Sequence, residues 1–130
     1  MSYTDDGESR DRMPPTEGSL VEPEIDKRFR LLASKERRYL LGCLIATDEW
    51  VSIDTIVEHI AARTGESRER VYTQLHHCHF PRLRTAGLVE FDSESRRLTY
   101  TGGQWTKTLL EVSERAGDRT YLQSVPSEDG

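Results

Sequence analysis

Apolar residues recur through the middle of the chain first with the period of an α-helix and then, over a short stretch, with the period of a strand. Ser34 precedes "KERRYLLGCLIA", in which Leu40, Leu41, Leu44 and Ile45 form one stripe. Its hydroxyl suits an N-cap, and Glu36 sits in the first turn, where the helix dipole favours an anion. The preceding "DKRFRLLA" predicts a short helical turn leading in. Ser52 caps "IDTIVEHIAART", whose Ile53, Ile56, Val57, Ile60 and Ala61 follow the amphipathic template without a miss, and Gly65 ends it. Ser67 caps a third run, "RERVYTQLHHCHFPRLRTA", with Val71, Leu75 and Cys78 as its inward stripe and Gly87 as its stop. Pro81 interrupts that run, so either the helix kinks or a second short helix begins with the proline in its first turn.

Beyond Gly87 the period falls to two. "LVEFD" and "RRLTY", separated by the polar "DSESR", predict a hairpin with Val89 and Phe91 on one face of its first strand and Leu98 and Tyr100 on one face of its second. Trp50 and Val51 offer a brief third strand able to pair with the hairpin edge. A last amphipathic helix, "QWTKTLLEVSERA", carries Trp105, Leu109 and Val112 on one side. The fold class is therefore mainly α with a small β-hairpin, in the order of a winged helix-turn-helix. "TGES" between the second and third helices supplies the glycine and polar cap of a tight corner.

Charge refines the domain boundaries. The 130 residues carry a net charge of −5, but unevenly. Residues 1–26 hold two Arg against eight Asp or Glu, residues 108–130 two against five, and the middle, 27–107, fourteen Lys or Arg against ten acids. Acidic ends rich in Ser, Gly and Pro bury too little apolar surface to offset the entropy of ordering. Residues 1–26 and 118–130 are accordingly expected to be disordered tails, 27–104 a winged helix-turn-helix domain, and 105–117 a C-terminal helix. No apolar run approaches the roughly 20 residues of a membrane span, and the first residues lack the pattern of a signal peptide, which points to the cytoplasm. Cys43 and Cys78 both fall in apolar helical patterns and read as reduced core residues.

Two blocks of sequence carry a resemblance. The first is Ser34, Glu36, Arg37 and Arg38 within "SKERRYLL"; the second is Leu75, His76, His77, His79, Pro81, Leu83, Ala86 and Gly87. Together they resemble small winged helix-turn-helix proteins of halophilic archaea that pair an S-x-x-R-R opening with an L-H-H-x-H-x-P-x-L-x-x-A-G block. The resemblance covers about residues 27–104. It implies the winged fold and a role in transcription, and it supplies no ligand, promoter or catalytic residue.

The cluster of three histidines and a cysteine at 76–79 invites a metal reading, but adjacent helical positions diverge by about 100° each, and no second pair of ligands has the required spacing. A packed Cys78 and a hydrogen-bonded His79 are expected instead. On the outward face of the third helix, Arg70, Thr73, Gln74 and His77 occupy successive turns with His76 beside them. Arg, Gln and Thr suit guanine, adenine and the thymine methyl in a major groove. Arg68 near the helix start and Arg96 and Arg97 in the hairpin add contacts to phosphate or minor groove. The expected partner is double-stranded DNA, with no cofactor and no small-molecule ligand evident, and Trp105, Leu109 and Val112 are a candidate homodimer interface that could equally pack on its own domain. No phosphate loop, nucleophile elbow or zincin motif is present, so no enzyme is expected. The competing reading is a winged domain that binds protein instead of DNA.

Overall fold

The computed structural model describes residues 22–117 and 119–126. The chain divides into two compact units, residues 1–30 and 31–130. Helix α1, Glu22–Leu31, supplies the described part of the first. Its start lies inside the segment expected to be a tail; the other residues of that segment, 1–21, fall outside the described ones.

The second unit contains α2 (Lys35–Thr47), β1 (Val51–Ser52), α3 (Ile53–Thr64), α4 (Arg68–Gln74), a π-helical turn (Leu75–His79), α5 (Phe80–Thr85), β2 (Val89–Asp92), β3 (Arg97–Tyr100) and α6 (Gln104–Ala116). The architecture is mainly helical with one small antiparallel sheet. All three expected serine caps form: Ser34, Ser52 and Ser67 accept from the backbone N–H of Arg37, Thr55 and Arg70. Gly65, at φ 79°, closes α3 in the left-handed conformation that favours glycine.

The sheet order is β1-β3-β2. The hairpin register sets Val89 opposite Tyr100 and Phe91 opposite Leu98, so the two expected apolar faces coincide. β1 joins the free edge of β3, with Val51 opposite Leu98. Leu40, Leu41 and Leu44 of α2, Ile56 and Ile60 of α3, Val71, Leu75 and Leu83 of the third helical run, Leu98 and Leu110 are all fully enclosed in one core.

The third helical run is continuous in direction but not in register. The Phe80 N–H bonds to the Leu75 carbonyl, five residues back, in place of the usual four. Pro81 explains the site of this widening, because in an α-register its ring would meet the carbonyl of residue 77 and it has no N–H to offer. Of the two expected alternatives the second holds: a short helix, α5, has Pro81 in its first turn, and the π-helical turn joins it to α4. The extra residue in the turn also rotates the side chains beyond it. Buried positions become Val71, Leu75, His79 and Leu83, four apart, with Phe80 beside His79, and Cys78, expected to point inward, is displaced to a half-exposed position.

The expected C-terminal tail, 118–130, needs a larger correction over residues 119–126; 118 and 127–130 fall outside the described residues. Residues 119–126 pack against the domain, with Tyr121 only 4 % exposed and Leu122 and Val125 against the core. Glu114 of α6 accepts from the backbone N–H of both Tyr121 and Leu122 at 2.8 Å, and Thr47 accepts from that of Val125 at 3.0 Å. Gly42 makes the approach possible: a Cβ there would lie 2.0 Å from the Tyr121 carbonyl oxygen. A close backbone approach at Gly42, the Tyr121 ring packed 4.9 Å from that of Tyr39, and satisfied backbone donors outweigh the polar composition of the segment.

Candidate nucleic-acid interface

Capped by Ser67 and anchored inward by Val71, α4 has an outward face fixed by helical geometry. Arg70, Thr73 and His77 lie at i, i+3 and i+7, and all three are exposed; Gln74 is half-buried at the end of α4. Arg68 is exposed at the start of the helix. Both arginines already have acidic partners. Arg68 pairs with Glu58 of α3, and Arg70 Nε lies 2.9 Å from the Glu66 carboxylate. These pairs are open to solvent, where such contacts contribute little and exchange readily for a phosphate. They nevertheless lower the positive potential of the face, as do the exposed Glu69 on α4 and Glu90 on β2.

The turn between β2 and β3 brings the second group of candidates. Asp92 closes it by accepting from the Glu94 N–H at 3.2 Å and the Ser95 hydroxyl at 2.8 Å. Arg96 adopts φ 58°, an uncommon conformation for a non-glycine residue. Three contacts hold it there. Its N–H donates to the Asp92 carbonyl at 2.7 Å. Its carbonyl accepts from the Ile53 N–H at 3.0 Å, and its guanidinium reaches the Tyr72 hydroxyl of α4 at 3.4 Å. The wing turn and the exposed helix are thus joined through Tyr72. Arg97, by contrast, is half-buried within β3, opposite Ser52 on one side and Asp92 on the other, and is the less available of the two.

His76 does not stand free on the outer face. Its ring lies 4.4 Å from that of Tyr72 and 5.3 Å from that of Phe80, and Phe80 lies 5.9 Å from Phe91 of β2. The four rings form a ladder from α4 to the hairpin. Its Nε2 is covered without a hydrogen-bond partner among the described residues, and burial, then the charges of Arg96 and His77, hold its pKa below the usual histidine value. A neutral ring packed among aromatics is the consequence. Tyr72 was not a sequence candidate, although its i, i+4 spacing to His76 and i, i+8 spacing to Phe80 is a legible aromatic stripe.

His79 has a structural role. Buried at 4 % exposure, it accepts at Nδ1 from the Arg37 guanidinium (3.2 Å) and donates from Nε2 to Glu36 Oε1 (2.9 Å). Arg37 is itself buried and donates from Nε to the Leu31 carbonyl at 2.7 Å. Because a guanidinium can only donate, Nδ1 must be unprotonated, which fixes the tautomer. Burial opposes the imidazolium first and Arg37 adds to it, while the Glu36 hydrogen bond favours the cation; the balance lowers the pKa. The two sequence blocks that carry the resemblance therefore meet in space at this buried triad.

The C-terminal stripe is only partly as expected. Fully buried Thr106 and Leu110 form the centre of the inward face of α6. Trp105 and Leu109 flank them and pack partly on their own core, leaving Val112 at 51 % exposure. Cys43 is enclosed, donates to the Leu40 carbonyl, and has its thiol pKa pushed up by burial to about 12. Among the described residues no three His, Cys, Asp or Glu side chains are grouped to hold a metal ion, and no helix is long and apolar enough to cross a membrane. No curated protein and no solved structure matches the chain. Residues 29–99, more than half of the sequence, match a family described as a domain of unknown function (DUF7344), and the chain belongs to that family.

Proposed function

We propose that this protein is a DNA-binding transcriptional regulator of winged helix-turn-helix type, with α4 and the β2–β3 turn as its contacts to duplex DNA. The observation that carries the reading is the Arg96–Tyr72 contact, which joins a wing cation to the helix that bears the exposed Arg70, Thr73 and His77. A helix with short polar side chains and an adjacent cationic turn suits a major groove and its flanking phosphates. Resemblance to small winged-helix proteins of halophilic archaea favours the same role. At about 1 M salt the Debye length is near 3 Å, so a protein working there relies on close contacts and needs little net positive charge. In this reading the protein acts in the cytoplasm as a homodimer, with Val112 at the exposed edge of the α6 contact and Trp105 and Leu109 beside it.

The glutamates paired with Arg68 and Arg70 favour a second reading, a protein-interaction module whose surface carries both signs of charge. The two separate on one pair of variants. Glu66→Gln, which releases Arg70, should tighten binding to a mixed pool of genomic duplexes in fluorescence anisotropy, and Arg70→Ala combined with Arg96→Ala should weaken it at least tenfold at matched low salt. Equal affinity in wild type and both variants would refute the DNA-binding reading.

A further inference from the structure

Where the π-helical turn and α5 face β2, a groove of about 460 Å³ is lined by His76, Phe80, Pro81, Arg84, Thr85 and Phe91. Its size falls within the range of small-molecule sites, roughly 300 to 1,000 Å³. Three of its six lining residues are rings of the aromatic ladder. Phe80 and Phe91 are inclined at 33° with their centroids 5.9 Å apart, and the His76 ring stands at 66° to Phe80. Pro81 extends the apolar lining. The polar part is the larger share of the lining surface and carries one charge, the guanidinium of exposed Arg84, which makes no ion pair with any described residue, beside the Thr85 hydroxyl and the His76 ring. Among the described residues no carboxylate lines the groove, so a cationic ligand finds no counter-charge among them.

These features select a ligand class. Aromatic walls at mixed inclinations accept a flat ring by offset stacking or edge-to-face contact. A single guanidinium presents the planar fork that matches a carboxylate through two parallel hydrogen bonds, and Thr85 can donate a third. One positive charge balances a monoanion. We propose that this groove binds a small aromatic carboxylate, its ring against Phe80 and Phe91 and its carboxylate on Arg84 and Thr85. The site is defined by its own lining and is measured without DNA, so it stands or falls separately from the regulatory reading.

The test is an NMR titration of the isotope-labelled full chain with three probes: benzoate, its neutral amide benzamide, and benzylamine, which reverses the charge. Benzoate should give saturable shifts centred on Phe80, Arg84 and Phe91 below about 10 mM, a weak but specific affinity. Benzamide and benzylamine should bind at least tenfold more weakly. Arg84→Gln, a substitution at an exposed helical position, should reduce benzoate affinity at least tenfold while leaving the rest of the spectrum in place. The proposal is overturned if benzoate gives no saturable shift, if its shifts map outside the groove, if benzamide binds as well, or if Arg84→Gln leaves the affinity unchanged.

Discussion

His79 shows how much a single buried polar residue is asked to do. It links Glu36 and Arg37 of α2 to the third helical run, and Arg37 in turn reaches the Leu31 carbonyl. Replacing His79 by Ala leaves a buried guanidinium with one partner fewer and should cost about 2 kcal/mol in urea denaturation. A second buried imidazole, His59, lies edge-on to Tyr39, has no hydrogen-bond partner at Nε2 among the described residues, and has its pKa lowered to about 4 by burial and then by Arg63. Folded-state pKa values below the unfolded value of about 6.5 mean that the unfolded chain binds more protons in that window. The stabilisation from His59 and His79 is therefore full above pH 6.5 and declines as the pH falls from there toward 4. Thermal denaturation across pH 7.5 to 4 measures this decline, and His59→Phe should flatten part of it.

At the scale of elements, the caps, the three helical starts and the apolar faces of the hairpin are legible from the sequence because each rests on local rules: a hydroxyl before a periodic run, a glycine after it, an alternation of two. Two features escaped that reading. The π-helical turn arises from competition between Pro81 and the hydrogen-bond ladder, and periodicity alone places Cys78 inward where the wider turn instead delivers His79. The docking of residues 119–126 depends on a notch at Gly42, seventy-nine residues before Tyr121, and no local composition announces it. Gly42→Ala separates the two influences. Helix propensity favours alanine by about 1 kcal/mol. The overlap with the Tyr121 carbonyl should more than reverse that gain, giving a net loss of about 1 to 3 kcal/mol, in the range of core overpacking. Hydrogen exchange should show the same substitution releasing the backbone amides of Tyr121 and Leu122 from Glu114.

For the molecule as a whole, the charge map decides between partners. A middle segment with fourteen basic against ten acidic residues is flanked by acidic ends, and the candidate face itself mixes Arg68, Arg70 and Arg96 with Glu58, Glu66 and Glu69. Sequence alone found Arg70, Thr73 and His77 on the exposed face and Arg96 in the adjacent turn. It did not reveal that two arginines are already paired, that Tyr72 couples turn to helix, or that Arg97 lies half-buried, because all three depend on neighbours brought together by the fold. Binding through phosphate contacts must weaken with salt, the logarithmic slope changing by about one for each contact removed. The most direct test is the affinity of the full chain for genomic duplex DNA by anisotropy over a series of salt concentrations, with the Arg70→Ala and Arg96→Ala double variant alongside. DNA recognition through this face predicts binding whose salt slope is shallower by about two in the double variant; superimposable salt titrations for the two proteins would contradict it.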